Sequence, residues 1–172
     1  MKFDPQPTLA GELLQLRPLQ AEDFPALYAV ACDPLIWEQH PNPDRYQHSV
    51  FKEFFRGAMD SGGALVALDR KDGSIAGSSR YAGFADDGSE VEVGWTFLAR
   101  SYWGGRYNAE MKRLMLDHAF KSFNSVALII GPKNIRSQRA AEKIGAVRAE
   151  SRFQPNGEER VVYRISRSRD RS

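Results

Sequence analysis

Residues 92–98 read Glu-Val-Gly-Trp-Thr-Phe-Leu, and residues 99–108 continue as Ala-Arg-Ser-Tyr-Trp-Gly-Gly-Arg-Tyr-Asn. The first segment predicts a β-strand with two distinct faces, since Val91, Val93, Trp95 and Phe97 alternate with Glu92, Gly94, Thr96 and Leu98. Adjacent glycines extend a strand poorly and let other groups approach the backbone closely. Residues 109–123 then carry apolar side chains around most of a helical surface, which predicts a largely buried helix. Lys112 and His118 are the two residues that fit such a helix least well.

A strand, a glycine-containing turn and a helix N-terminus together form a potential anion site. The first N–H groups of a helix have no intrahelical partner, and the helix dipole adds roughly half a positive charge there. A phosphate or diphosphate suits such a position. An ordinary strand-to-helix turn that binds nothing is equally compatible with the spacing, because glycine pairs are common in turns.

The same segment resembles the GNAT acyltransferase superfamily, and in particular the branch of ribosomal-protein N-acetyltransferases (RimJ/RimL type). That branch carries Glu-Ile-Gly-Tyr followed by Trp-Gly-x-Gly-Tyr-x-x-Glu, whereas this chain has Glu-Val-Gly-Trp at 92–95 and Trp-Gly-Gly-Arg-Tyr-Asn-Ala-Glu at 103–110. The family's diphosphate loop corresponds to residues 101–106. Ser101 stands where the family has Gln or Arg, and Arg106 stands where it has a small residue. Arg106 would add a positive charge to the diphosphate contact.

The resemblance implies acetyl-CoA as the cofactor and gives a set of binding residues. The pantetheine arm would lie along the strand edge like an extra strand, where the fourth and fifth strands of the superfamily splay apart. The implied cofactor-binding residues are Thr96, Phe97 and Leu98 on that edge, Trp103, Gly104, Gly105, Arg106, Tyr107 and Asn108 in the turn, and Asn134 and Ser137 on the next helix.

Acyl transfer to an amine needs a base, and Glu92 is the candidate. It matches the family's glutamate and shares a strand face with Gly94, whose missing side chain leaves room for a ligand. The alternative is a solvent-facing strand glutamate. Many superfamily members place a general-acid tyrosine seven residues after the asparagine, where this chain has Ala141, so Ser137 or a water that it holds is the candidate substitute.

Length and composition indicate one globular domain, and the predicted strands and helices together with the resemblance place it in the α/β class. The chain has 172 residues, 42% of them hydrophobic and 27% charged, with a net charge of +2. So small a charge gives no reason to expect nucleic acid or a membrane as partner. The single cysteine, Cys32, and the absence of an apolar run near ~20 residues favour a cytoplasmic protein. His40 and His48 lack the further ligands that a metal site needs, so none is expected.

The predicted elements include seven strands, and the resemblance implies that they form a mixed central sheet with helices on both faces. We expect a lead-in over 1–11, one domain over 12–165, and a basic, disordered tail over 166–172. The predicted elements are strands at 13–17, 64–68, 74–84, 90–98, 125–130, 147–153 and 159–165, helices at 20–30, 50–59, 109–123 and 134–145, and turns at 70–73 and 86–88. Residues 91–98 and 125–130 should lie side by side in parallel, joined by the central helix.

Two functional hypotheses remain open. The first is an N-acetyltransferase that acts by direct attack on acetyl-CoA, with a protein N-terminal α-amine or a small-molecule amine as acceptor. The second is a non-catalytic CoA-binding regulatory module of the same fold. Segment 33–60 and the last hairpin would shape the acceptor site, and the fold alone does not identify the acceptor. Homodimerisation is common in the branch and is a further expectation.

Overall fold

A computed structural model describes residues 2–84 and 87–168 of the chain. Its strands and helices are β1 (Leu9–Ala10), β2 (Leu14–Pro18), α1 (Phe24–Ala31), α2 (His48–Asp60), β3 (Ala64–Asp69), β4 (Ile75–Ala82), β5 (Glu90–Leu98), α3 (Tyr107–Ala119), β6 (Ser125–Ile130), α4 (Ile135–Lys143), β7 (Val147–Phe153) and β8 (Glu159–Ser166). They form a single-domain α/β structure, as predicted. No helix in the described ranges is long and apolar enough to cross a membrane.

The sheet is mixed and has eight strands in the order β1-β2-β3-β4-β5-β6-β8-β7. The strand beyond the predicted seven is β1, which has two residues and lies within the segment expected to be a lead-in. The predicted tail begins at Ser166, the last residue of β8, and its residues 169–172 lie outside the described part of the chain, as does Asp86 of the predicted turn at 86–88.

The helices cover the sheet on both faces, also as predicted. On one face α3 and α4 close a core that includes Val91, Val93, Met111, Met115 and Ala141. On the other face α1 and α2 close a second core, and the buried Trp37 of the loop before α2 completes it. The sheet therefore separates two apolar layers, and β5 contributes side chains to both.

Strand β5 leaves its parallel neighbour β6 after a short contact. The two strands pair only at Glu90–Ser125, Val91–Val126 and Glu92–Ala127. Beyond these pairs β6 continues against β8 up to Ile130, while β5 continues against β4. The predicted parallel pairing is thus confirmed for the first part of each strand only, and an edge of β5 is left open beyond Glu92.

A β-bulge in β5 accompanies this divergence. Ser78 pairs with Phe97 and Arg80 pairs with Gly94, so two residues of β5 lie opposite one residue of β4. Trp95, one of the two, has a φ of 52°, which is unusual for a residue with a side chain. The bulge makes the predicted alternation wrong beyond Gly94, because Phe97 packs in the α1/α2 core rather than beside Val91 and Val93.

Glu110 joins the N-terminal segment to the start of α3. Its carboxylate accepts hydrogen bonds from the backbone N–H groups of Glu12, Leu13 and Leu14, at 2.9, 2.8 and 2.7 Å. A Cβ at Gly11 would lie 2.5 Å from the same carboxylate, so the turn before β2 requires glycine. Burial alone would raise the pKa of Glu110, but the three N–H donors outweigh it and hold the pKa below its ordinary value.

We expect Glu110→Ala to lower the free energy of unfolding by about 2–4 kcal/mol, because it leaves three backbone donors without their acceptor. Chemical denaturation would measure the loss. Since the pKa of Glu110 is lower in the folded state, its contribution is present above the unfolded-state pKa and disappears as the pH falls through the folded-state pKa. The matched control is Glu12→Ala, which removes an exposed carboxylate, and equal losses in both variants would contradict the assignment.

Candidate active site

The turn between β5 and α3 presents open backbone around two glycines. Gly104 has a φ of 72°, and a Cβ there would meet nothing within 4 Å. A Cβ at Gly105 would meet only a ring carbon of Tyr107, at 3.9 Å. The first intrahelical bond of α3 runs from the Glu110 N–H to the Arg106 carbonyl, and Arg106 provides no side-chain cap.

The first three N–H groups of α3 therefore lack acceptors. Tyr107, Asn108 and Ala109 form no hydrogen bond through these groups within residues 2–84 and 87–168. They lie at the positive end of a helix of 13 residues. Arg106 adds a largely exposed guanidinium, whose nearest carboxylate, that of Glu12, is 3.9 Å away. This arrangement favours an anion at the turn predicted to bind a diphosphate.

Trp103 connects the turn to the end of β5 and to α4. Its indole N–H donates to the Leu98 carbonyl at 3.0 Å, and the Arg136 guanidinium lies 4.0 Å from its ring centroid. The contact with Arg136 connects the turn after β5 directly to α4, which follows β6. The motif at 103–110 and the motif at 134–137, which follow β5 and β6, are therefore in contact. The carbonyl of Leu98, which ends the strand edge predicted to bind the pantetheine arm, is already paired with Trp103.

Asn134 caps α4, and Ser137 lies in the first turn of that helix. The Asn134 Oδ1 accepts a hydrogen bond from the Ser137 backbone N–H at 3.2 Å. The amide nitrogen of Asn134 and the hydroxyl of Ser137 make no hydrogen bond to any described residue, so both are available to a ligand. Ala141, at the position of the family's tyrosine, is 3% exposed and belongs to the α3/α4 core.

Glu92 is the last residue of β5 that pairs with β6, so its side chain lies where the strands part. A Cβ at Gly94 would lie 3.3 Å from the Glu92 Oε1, which shows that the two residues share a face and that glycine makes room for the carboxylate. Burial raises the pKa of Glu92 to about 7, against the opposing effect of Arg152 and Arg80. No described residue forms a hydrogen bond with this carboxylate.

Two arginines lie on the face of the sheet that carries Glu92, and the sequence did not predict either of them as a site residue. Arg80 of β4 stacks 4.5 Å from the ring centroid of Trp95, and Arg45, from the turn before α2, lies 4.5 Å from that of Phe54. The only signal for Arg80 in the sequence is its position inside a strand whose neighbours are buried. The sequence gives no signal for Arg45, which lies in a loop rich in proline.

On the opposite face of the bulge, a buried lysine contacts the strand. Lys112 of α3 donates to the Thr96 hydroxyl, which also pairs with the Ser79 hydroxyl at 2.8 Å. Ser79 in turn donates to the Gly94 carbonyl at 3.3 Å. Burial lowers the pKa of Lys112 from 10.5 to about 7, and no described carboxylate pairs with it. The side chain of Thr96 is therefore engaged within the protein, which leaves its backbone as the group available for the predicted strand-edge contact with the cofactor.

We expect Lys112→Met to change how stability depends on pH. In the unmodified protein the free energy of unfolding should rise between about pH 7 and 10.5, because the folded state has released a proton that the unfolded state retains. The methionine variant should lack this rise and should be more stable at pH 7, by on the order of 2 kcal/mol. Urea unfolding across this range measures both effects. The control is Lys121→Met, an exposed position; parallel curves for all three proteins would contradict the prediction.

No described group of three or more His, Cys, Asp or Glu side chains is arranged to hold a metal ion. His40, one of the two histidines considered as ligands, lies 3.2 Å through its Nε2 from Arg45 Nη1. Burial, with repulsion from Arg45 and Arg160, lowers the pKa of His40 to about 3, so its ring is neutral. The absence of a metal site stays a prediction.

A family model described as "Acetyltransferase (GNAT) domain" matches residues 14–147. Among curated proteins, the uncharacterized protein YkkB of Bacillus subtilis (strain 168) is 36% identical over 83 residues. That match covers 46% of this chain and 48% of YkkB, so the chain spans about half the length of this curated relative.

Solved structures agree over nearly the whole chain. The acetyltransferase from Agrobacterium tumefaciens str. C58 is 25% identical, with a TM-score of 0.73, and the alignment covers 94% of this chain and 95% of that one. Mycobacterium smegmatis RimJ, solved in complex with CoA-disulfide, is 16% identical, with a TM-score of 0.74 over 99% of this chain and 93% of that one. At that identity the second likeness concerns the fold alone.

Proposed function

The chain belongs to the GNAT acetyltransferase family, and on this premise we propose that it transfers the acetyl group of acetyl-CoA to a primary amine by direct attack. The observation that carries the proposal is Glu92, a carboxylate with a pKa near 7 at the point where β5 and β6 part. A base with a pKa near the working pH is suited to taking a proton from an amine.

The turn before α3 fits the diphosphate of coenzyme A. Unpaired N–H groups, the positive end of α3 and the open space around Gly104 and Gly105 all favour a bound anion there. The amide nitrogen of Asn134 and the hydroxyl of Ser137 would serve the pantetheine arm and the sulfur. The complex of RimJ with CoA-disulfide supports the same class of ligand for this fold.

Acetyl-CoA supplies an acetyl group as a thioester. Glu92 would accept one proton from the acceptor amine as the amine nitrogen bonds to the acyl carbon and the carbon–sulfur bond breaks. A backbone N–H at the bulge around Trp95 and Thr96 would stabilise negative charge on the carbonyl oxygen. The leaving sulfur takes a proton, for which Ser137 or a water that it holds is the proposed donor. The products are then an acetylated amine and free coenzyme A.

We expect Glu92→Gln to lower kcat by 10²–10⁴-fold, the usual contribution of a general base, with little change in the affinity for coenzyme A. In the unmodified enzyme kcat/KM should rise with pH and level off above about 7, because the deprotonated carboxylate is the active form. Thiol release from acetyl-CoA with an amine panel measures both. Glu90→Gln, two residues earlier on the same strand, is the control, since Glu90 is paired with Arg164 at 2.6 Å.

A flat pH profile together with unchanged turnover in Glu92→Gln would remove Glu92 as the base. Coenzyme A binding without acetyl transfer to any amine would instead favour the non-catalytic module.

We expect Gly105→Asp to weaken coenzyme A binding at least tenfold, because it places a carboxylate beside the proposed diphosphate contact. Gly105→Ser is the matched control, since a Cβ fits at this position without a clash. Isothermal titration calorimetry with coenzyme A gives both affinities. Equal affinities of the Asp and Ser variants would contradict the assignment of this turn.

A further inference from the structure

Arg45 and Arg80 are neighbours on the face of the sheet that carries Glu92. Their guanidinium carbons lie 4.5 and 5.4 Å from the ring centroid of the same residue, Phe54. Arg80 pairs in register with Gly94, whose open side adjoins the Glu92 carboxylate. Arg80 is only 7% exposed, so most of its charge is withdrawn from water.

Neither arginine forms an ion pair with a carboxylate within residues 2–84 and 87–168. No described acidic group lies within 4 Å of either guanidinium. Among the described residues, the Arg80 guanidinium donates one hydrogen bond, to the Gly57 carbonyl at 3.3 Å, and the Arg45 guanidinium has one hydrogen-bond contact, to the His40 ring at 3.2 Å. A guanidinium has five N–H donors, and a buried charge without a partner is costly. Two neighbouring charges of the same sign increase that cost.

The charged groups around the pair supply at most one partial counter-charge for two guanidinium groups. Burial lowers the pKa of each arginine to about 10, and the pKa of Arg45 is lowered further by repulsion from Arg80 and Arg160. Both therefore stay charged at neutral pH. Arg160 is itself occupied by Glu158 at 2.8 Å. Attraction to the Glu92 carboxylate raises the pKa of Arg80 against the larger effect of burial. With a pKa of about 7, that carboxylate carries only part of a negative charge at neutral pH, so it offsets the two arginines incompletely.

We propose that the acceptor of this enzyme carries a carboxylate close to its amine, and that Arg45 and Arg80 bind that carboxylate while the amine faces Glu92. The proposal rests on the acetyltransferase function proposed above and narrows its substrate class. Guanidinium groups bind carboxylates through paired hydrogen bonds, which would hold the acceptor in one orientation. A free amino acid and a peptide with an acidic N-terminal residue both carry this chemistry. Polyamines and basic peptides would meet repulsion instead.

The two arginines lie on the wrong face to serve the diphosphate of coenzyme A. They contact Phe54 and Trp95 on the α2 side of the sheet, whereas the turn at Gly104 and Gly105 leads into α3 on the opposite side. An anion at Arg45 and Arg80 would thus belong to the acceptor.

The test compares acceptors that differ only in the carboxylate. Aspartate and glutamate are each compared with their α-amides. A peptide with N-terminal aspartate is compared with the same peptide carrying N-terminal asparagine. Spermidine represents cationic amines. In at least one of these pairs, we expect kcat/KM, measured by thiol release, to be at least tenfold higher for the acceptor with the carboxylate than for its amide. Whether the free amino acids or the peptides show this preference identifies the class of acceptor.

Variants assign the preference to the two arginines. Arg45→Gln should reduce kcat/KM for the preferred carboxylate at least tenfold while leaving the amide analogue within about twofold. Arg80→Lys, which keeps the charge but loses the paired geometry, should raise KM for the carboxylate more than it lowers kcat. Arg56→Gln, exposed on α2 and paired with Glu53 at 3.1 Å, is the matched control and should change neither. Thermal unfolding establishes that each variant is folded.

Equal kcat/KM for carboxylates and amides, or equal effects of Arg45→Gln and Arg56→Gln, would overturn this inference while acetyl transfer itself stood. Failure to bind coenzyme A and to acetylate any amine would overturn both this inference and the proposed function. Calorimetry with coenzyme A separates the two cases.

Discussion

The parting of β5 from β6 after three residue pairs is the constraint on which the rest of the site depends. Parallel neighbours that stayed paired would satisfy each other's backbone groups and leave no edge for a ligand. The bulge at Trp95 and Thr96 changes the course of β5 at this point and reverses which side chains face each core. A tryptophan with a φ of 52° carries a conformational cost, and such strain concentrates at functional sites.

The two faces of β5 hold charge in different ways. Towards α3, Lys112 is buried with no carboxylate of the described ranges as counter-ion, and burial favours its neutral form at the bulge. Towards α2, Arg45 and Arg80 remain charged beside Glu92, whose own pKa lies near neutrality. Neither arrangement contributes obvious stability. Uncompensated charges in a core are expected where a ligand completes them, and this is why we connect Arg45 and Arg80 with the acceptor.

Much of the fold followed from local sequence patterns. The order of strands and helices rests on hydrophobic periodicity, and the shared face of Glu92 and Gly94 rests on the alternation of the strand. The bulge did not follow from these patterns, because apolar and polar residues around Trp95 alternate acceptably whether or not the strand contains an extra residue. Lys112 stood out in its helix, but its partner Thr96 is set by packing between elements. Arg45 reaches the site through the tertiary fold alone. The assigned roles of Glu92, Asn134 and Ser137, homodimerisation and a cytoplasmic location stay predictions.

The most direct test of the central claim is to follow the backbone amides by ¹⁵N NMR as coenzyme A is added. If the open turn and the parted strand edge form the cofactor site, the amide signals of residues 104–109 and of β5 beyond Glu92 should shift together and saturate with one affinity. Slower hydrogen exchange at 107–109 should accompany the shift, since these N–H groups would gain acceptors. Saturable binding that leaves these amides unmoved, or no binding, would contradict the account.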